Sequence, residues 1–449
     1  MSSNILTKDG FFSSLASYPD ADKYWIACSG GMDSSVLLHL FYLNSPRLKQ
    51  PVEVVYVDHR LQQQSKEWGS FCGLLCQQYD FSFSSLEIDE EYKNGFSIEE
   101  WAREKRYELL ADMMNENDIL FTAHHQDDQV ETFFLHAFRG SGPRGLVAMP
   151  GIRKFSNGFH ARPLLSCTRK ELQRYANEHQ LSWKTDPSND NIRYDRNYLR
   201  KSVLPVIEER WPAFRITIAR LVRHQQEVKS LLDEIADNDL KQAITEKTYV
   251  INIDAINDYS NARKKNLIAY WLKKLDMNLP ASRHLNQIIT DVLDSEPDKA
   301  PCVNWHGVEI RRYRNMLYAM NSLLEHDQSI HYVWKINQPF QLSEESLVAS
   351  SSKGQGILKK CIENQTVEIR YRQGGEKIRP ENQSMTKSVK QLFQEKGVLP
   401  WHRDRIPLIY IDDQLALIPG ICVDEKFCAK ENEAAWDIRW SGLDKVIQQ

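Results

Sequence analysis

Seven residues, Ser29-Gly30-Gly31-Met32-Asp33-Ser34-Ser35, separate a short apolar run, Tyr24 to Cys28, from a second that starts at Val36. Two glycines there permit backbone angles closed to other residues. A helix starting near Asp33 would turn free N–H groups and the positive end of its dipole toward an anion. Such a turn cradles phosphate. It is not a Walker A loop, because Met-Asp-Ser stands where Gly-Lys would come. Taken alone, the same residues also read as a glycine turn with an Asp or Ser helix cap.

A second cluster, "TAHHQDDQVET", places His124, His125, Asp127 and Asp128 together, with Glu131 about one turn into the helix that follows. His124, Asp128 and Glu131 could converge on a metal, although neighbouring side chains alternate in direction on extended backbone. Asp127 or Asp128 as a helix N-cap is the plainer reading. "WAREKRY" sets Arg103 and Arg106 on one helical face with Glu100, which also fits a solvated charged face.

These residues need elements to hold them. From Tyr24 to about Leu146, β-rich runs ("YWIAC", "PVEVVYVDH", "FSFSSLEI", "DILFTAHH") alternate with amphipathic stretches. That alternation predicts βαβ units and a parallel sheet covered on both faces. Ligands bind such sheets at the carboxyl ends of the strands. The 29–34 turn, Asp58 with His59, and the 124–128 cluster all fall there.

The chain has 449 residues, 41% hydrophobic and 26% charged, enough for two to four globular domains. Its formal charge of -4 gives no global sign of a nucleic-acid partner. Residues 139–223 differ, with 17 Lys/Arg against 7 Asp/Glu, so the rest must be clearly acidic. Residues 216–244 have helical apolar spacing without Gly or Pro and predict one long connecting helix. The expected domains are 1–215, a helical linker 216–247, then 248–330 and 331–449. "ESLVASSSKGQG" reads as a loop, and "TKSVKQLFQEKG" as a helix ended by Gly397. The eight cysteines form no C-x-x-C pair. No secretory or membrane-spanning pattern is visible, so a cytoplasmic protein without a membrane partner is expected.

S-G-G-x-D-S after the first strand resembles the PP-loop of ATP pyrophosphatases, which cut ATP between the α and β phosphates. The resemblance narrows with "VDHRLQ", "WAREKRY", "TAHHQDDQVETFFLHAFRGSGPRGLVAM", "RPLL" and "DPSNDNIRYDRNYLR". In this order they are similar to the tRNA(Ile)-lysidine synthases. "NWHGVEIRRYRNMLYAM" and "RYRQGGEKIRPENQSMTKSVKQLFQEKGVLPWHRDRIPLIY" resemble that family's two C-terminal domains, so the likeness covers nearly the whole chain. One departure is "VDHRLQ", where Arg60 and Gln62 replace a small residue and an arginine; no role is placed on Gln62.

The resemblance implies an α/β, Rossmann-like PP-loop domain, a helical linker and two smaller α+β domains. It implies adenylation of the wobble cytidine of a CAU tRNA(Ile) by ATP, then attack by free lysine to give lysidine. Ser29, Gly30, Gly31, Met32, Asp33, Ser34, Asp58, His59, Arg103, Arg106 and His124 would bind the nucleotide, with Asp33 a ligand for Mg2+. Asp33, Asp127, Asp128 and Arg196 would serve catalysis, one of the aspartates meeting the lysine amine. Arg139, Arg144, Arg162, Asn189, Tyr194, Asn197, Arg200, Arg372 and Lys377 would face tRNA, and a homodimer is one expectation. Tyr175, Trp183, Tyr194 and Tyr198, interleaved with the basic residues, suit a base stacked among aromatic rings. Three rivals remain: a PP-loop thiolase, which should carry paired or mobile cysteines; a small-molecule synthetase, which leaves the basic segment unexplained; and a non-catalytic RNA-binding protein.

Overall fold

The computed structural model describes residues 5–60, 64–90, 92, 98–296, 301–343, 345–381 and 383–443; Leu61 and Gln62 of "VDHRLQ" lie outside them. The chain divides into two compact units, Met1–Leu232 and Asp233–Gln449.

In the first unit the strands are β1 (Tyr24–Ala27), β2 (Val52–Asp58), β3 (Ser82–Glu87), β4 (Ile119–Phe121), β5 (Ile152–Phe155) and β6 (Gly158–Ala161). Their order is β3-β2-β1-β4-β6-β5. β1 pairs in parallel with β2 and β4, and β6 with β4. The apolar run of β1 is what a strand buried on both faces requires. Tyr24 and Ile26 pack with Phe41 and Phe121 on one face, and Trp25 packs with Val55 and Leu120 on the other. Helices α1 (Lys8–Leu15), α2 (Met32–Asn44) and α3 (Ser65–Gln78) cover the first face. α4 (Ile98–Asp112) covers the second through Leu110, and α5 (Gln126–Phe138) follows β4.

The sheet runs further than its sequence pattern. β5 and β6 form an antiparallel hairpin that adds two strands after the stretch where alternation is legible. Arg153 and Lys154 make β5 look polar because it is an exposed edge.

In the second unit, the C-terminal part of the helix Phe214–Ala243 sends Ala236, Leu240 and Ala243 into a core shared with Leu267 and Trp271 of the helix Asn261–Lys274. A four-stranded antiparallel sheet lies beside it, built from Val250–Asn252, Met316–Asn321, Val308–Tyr313 and Cys302–Trp305. The last part has a five-stranded, a four-stranded and a two-stranded sheet among its described residues. The helix Val389–Glu395 is capped by Ser388 and followed by Gly397 at φ 69°. "ESLVASSSKGQG" departs from its expected loop: Glu345–Lys353 is a strand pairing with Ala434–Trp440 over seven residues. Small serines and alanine tolerate that pairing, and the partner lies too far along the chain to leave a local signal. Among the described residues no helix is long and apolar enough to cross a membrane.

The β4–β6 junction positions the 124–128 cluster, and Gly158 makes it close. A Cβ there would fall 2.2 Å from the Asp118 carbonyl oxygen and 2.9 Å from Met114 Cε, where Phe159 N–H already donates to Asp118. Gly158→Ala should lower stability by about 2 kcal/mol through overpacking, read as a reduced urea midpoint at unchanged slope.

Candidate active site

The first strand ends at a turn whose geometry depends on Gly30, at φ +74°. A Cβ there would lie 3.2 Å from Cys72 Sγ and 3.4 Å from Phe71 Cδ1, so α3 forms a tight floor under the loop. Lys184 N–H donates to the Gly30 carbonyl at 2.8 Å. α2 begins at Met32 with extended Gly31 in the cap position and no side-chain cap, so the Asp or Ser cap is not what forms. Ser34 Oγ donates to the Gly31 carbonyl at 2.9 Å and lies 3.3 Å from Ser29 Oγ. Both hydroxyls thus stand at the loop, beside the open N-terminal turn of α2.

Asp33 lies in that first turn. Its Oδ1 is buried without a hydrogen-bond partner, and its Oδ2 is 3.5 Å from His125 Nε2. A desolvated carboxylate oxygen without a donor suits a cation ligand.

His125 precedes α5 with extended backbone, and its N–H donates to Asp128 Oδ2 at 2.9 Å. Asp128 therefore closes the first turn from inside the helix; neither aspartate is the N-cap. The buried His125 imidazole also lies 3.6 Å from Asp128 and 3.8 Å from Asp127. Burial opposes its charge, yet Asp128, Asp33 and Asp127 together raise its pKa above 6.5. Asp128, in turn, is pushed up by burial but held well below the usual carboxylate range by His125 and Arg196. Asp127 is bound elsewhere, by Arg215 Nε at 2.5 Å and Arg169 N–H at 2.9 Å.

Glu131 is 1% exposed. Arg196 Nε donates to it at 2.7 Å, and Arg200 reaches both oxygens at 2.6 and 2.9 Å. Arg196 also donates to Asp128 at 3.0 Å. The convergent metal reading of His124, Asp128 and Glu131 fails for this reason: guanidinium groups occupy the carboxylates, and His124 Nδ1 is 2.7 Å from Thr122 Oγ1. Among the described residues no group of three or more His, Cys, Asp or Glu could hold a metal ion.

Arg103, Arg106 and Arg153 gather around the Tyr107 ring, at 5.3, 5.6 and 5.9 Å from its centre. Burial pushes His124 down to about 3; Asp128 opposes that shift, and Arg162, Arg196 and Arg103 add to it. Burial, then Arg106, pushes His59 down to about 4. Asp58 is buried and accepts from Arg60 N–H at 2.7 Å. At neutral pH, His124 and His59 are therefore uncharged.

The residues expected against tRNA divide. Arg139 and Asn189 are exposed, and Arg144 and Tyr194 half-buried. Arg162 is turned inward, donating to the Pro150 carbonyl at 2.8 Å and lying 3.1 Å from His160 Nδ1. Burial lowers it to about 10. Asn197 is buried too, and its Nδ2 donates to the Ser188 and Asn191 carbonyls at 2.9 and 3.0 Å. Arg200 is engaged by Glu131. In the second unit Arg372 pairs with Asp404 at 2.5 Å, Arg370 with Glu368 and Asp413, and Arg379 with Glu425. The arginines of "RYRQGGEKIRP" are thus matched by carboxylates from outside and beside the motif, while Lys377 is exposed. Arg215 and Arg153 were absent from the expected site. Nothing local marks either, because each acquires its neighbours only through the fold.

A family model of the PP-loop domain matches residues 7–207, one of the TilS substrate binding domain 252–318, and one of the TilS substrate C-terminal domain 367–440. The chain is similar to the tRNA(Ile)-lysidine synthase of Coxiella burnetii, at 34% identity over 436 residues, 97% of this chain and 96% of that one. It is 35% identical to that of Legionella pneumophila (strain Paris) over 426 residues, 93% of this chain and 95% of the other. With that of Proteus mirabilis it shares 34% over 394 residues, 87% of this chain and 89% of the other.

His125 should titrate above 6.5, while His124 titrates near about 3 and His59 near about 4, checked by NMR of the imidazole resonances. Because the folded pKa of His125 is raised, the stability it contributes is full below 6.5 and is lost as pH rises through the folded value. His125→Gln should remove that pH dependence of the urea midpoint. Glu131→Gln should cost about 3 kcal/mol of unfolding free energy, because it leaves two guanidinium groups without their shared carboxylate; the same denaturation curves measure it.

Proposed function

Because the chain belongs to the tRNA(Ile)-lysidine synthase family, we propose that it joins free lysine to C2 of the wobble cytidine in a CAU tRNA(Ile) through an adenylated base. The chain is a ligase built on an ATP-using PP-loop domain. The observation that carries the finer reading is the facing of Asp33 and the 124–128 cluster across one loop, with His125 between their carboxylates.

In the first step the C2 oxygen attacks the α-phosphorus, the bond to the bridging oxygen breaks, and pyrophosphate leaves with its electron pair. Ser29, Ser34 and the N–H groups at the start of α2 hold the phosphates. Asp33 would hold Mg2+ through its unpartnered Oδ1, the ion supplying charge neutralisation on the phosphates. Arg103 and Arg106 approach from α4 with fixed, permanently charged forks.

In the second step the lysine amine attacks C2, and AMP leaves with the electrons of the C2–O bond. The lysine arrives as an ammonium and must lose a proton, since only the neutral amine is nucleophilic. An aspartate of the 124–128 cluster would hold that ammonium as it arrives; Asp128, kept ionised by His125 and Arg196, and Asp127, bound by Arg215 and Arg169, each have both oxygens engaged, so hydrogen bonding singles out neither. The product reads AUA in place of AUG, and the tRNA changes from methionine to isoleucine identity. Exposed Arg139, Tyr198 and Trp211 suit contacts with phosphates and bases.

Labelled lysine should enter tRNA only with ATP, Mg2+ and the CAU isoleucine tRNA, scored by acid-precipitable counts and AMP release. Equal labelling of elongator methionine tRNA, or ADP as product, would sink the reading. Asp33→Ala should reduce AMP formation by at least about a hundredfold, as loss of a phosphate-site charge group does, while tRNA binding in a filter assay stays within about twofold. That binding should weaken steeply with salt.

A further inference from the structure

The phosphate loop carries no lysine of its own, but one meets it from elsewhere in the chain. Residues 181–191 form a strap between the helices Arg169–Glu178 and Asp195–Tyr198, with the short turn Pro187–Asp190 as its regular element. Lys184 lies in this strap, and its N–H donates to the carbonyl of Gly30, the left-handed residue of the loop. Its side chain is exposed. The ammonium stands 5.5 Å from the centre of the Phe71 ring, the ring whose Cδ1 lies 3.4 Å from the Cβ position of Gly30. Ammonium, ring and loop are therefore neighbours in that order. Asp186, the nearest acidic residue in the strap, has Oδ1 engaged by the Ser188 N–H at 2.7 Å.

We propose that Lys184 is a further ATP-binding residue, whose ammonium moves from the Phe71 face to the β- and γ-phosphates resting on the 29–34 loop. This rests on the ATP reading of that loop. An exposed cation–π contact is weak enough to exchange for a phosphate, and the four-carbon stem has the freedom to do so. Its side of approach differs from that of the arginines: Phe71 packs with the cluster on the α2 and α3 face, whereas Arg103 and Arg106 belong to α4 on the other. When the bond from the α-phosphorus breaks, the departing pyrophosphate takes the electron pair and gains negative charge. A mobile ammonium strengthens its contact at that moment, which favours the transition state over bound ATP.

Calorimetric titration of the full chain with ATP, pyrophosphate and AMP tests this. Lys184→Met should weaken ATP and pyrophosphate about tenfold, the scale of one charge-assisted hydrogen bond, and leave AMP unchanged, since AMP lacks the β- and γ-phosphates. Lys184→Arg should recover most of the loss. Both variants keep the backbone donor to Gly30, so the loop's anchor is intact. Equal weakening of AMP and ATP would mean a distorted loop and would overturn the proposal. Unchanged ATP affinity, with or without lost tRNA affinity, would overturn it as well. Wild-type protein that binds neither ATP nor pyrophosphate would overturn the ATP reading and the proposal together.

Discussion

A carboxylate that cannot reach water must be matched where it stands, and Glu131 sets that condition for the site. Buried on α5, it holds Arg196 and Arg200 from the segment that follows the strap. Arg196 passes the constraint to Asp128, Asp128 to His125, and His125 to Asp33 at the phosphate loop. Each charge in the series is tolerable only because of the next, since an isolated buried ion costs several kcal/mol or more. The series joins the end of β4, the start of α2 and the basic segment, three places far apart in sequence. Positioning and electrostatics are one feature here: the contacts that fix the side chains also fix which are charged.

Much of this was legible beforehand because it is local. The glycine pair of the loop, the apolar run of β1, and the polar clusters at strand ends announce themselves within a few residues. Periodicity supplied the parallel sheet. What stayed hidden depends on partners distant in the chain. The β5–β6 hairpin looks like part of a basic segment until β4 is beside it. Glu345–Lys353 looks like low-complexity loop until Ala434–Trp440 pairs with it. Asp127 and Asp128 are neighbours of one type, yet Arg215 claims one and His125 with Arg196 the other. No spacing rule distinguishes them.

Charge counting misleads for the same reason. Residues 139–223 carry a large excess of Lys and Arg, but Arg162 is buried against His160 and a carbonyl, and Arg196, Arg200 and Arg215 neutralise carboxylates of α5. The field presented outward comes from the remainder. In the second unit the arginines around the Gly374-Gly375 turn are likewise balanced. A basic stretch is a pool from which the fold first draws its own counter-ions.

The adjacent imidazoles have one more consequence. Between about pH 6 and pH 5 an ordinary histidine takes up a proton and changes the potential around it. Here His124 and His59 stay neutral through that range because burial and guanidinium groups suppress them, while His125, raised above 6.5 by its carboxylate neighbours, takes up its proton at a higher pH. Acidification across that range therefore adds no charge at His124 or His59. Two of the three residues of the type most associated with pH sensing are thereby made indifferent to it.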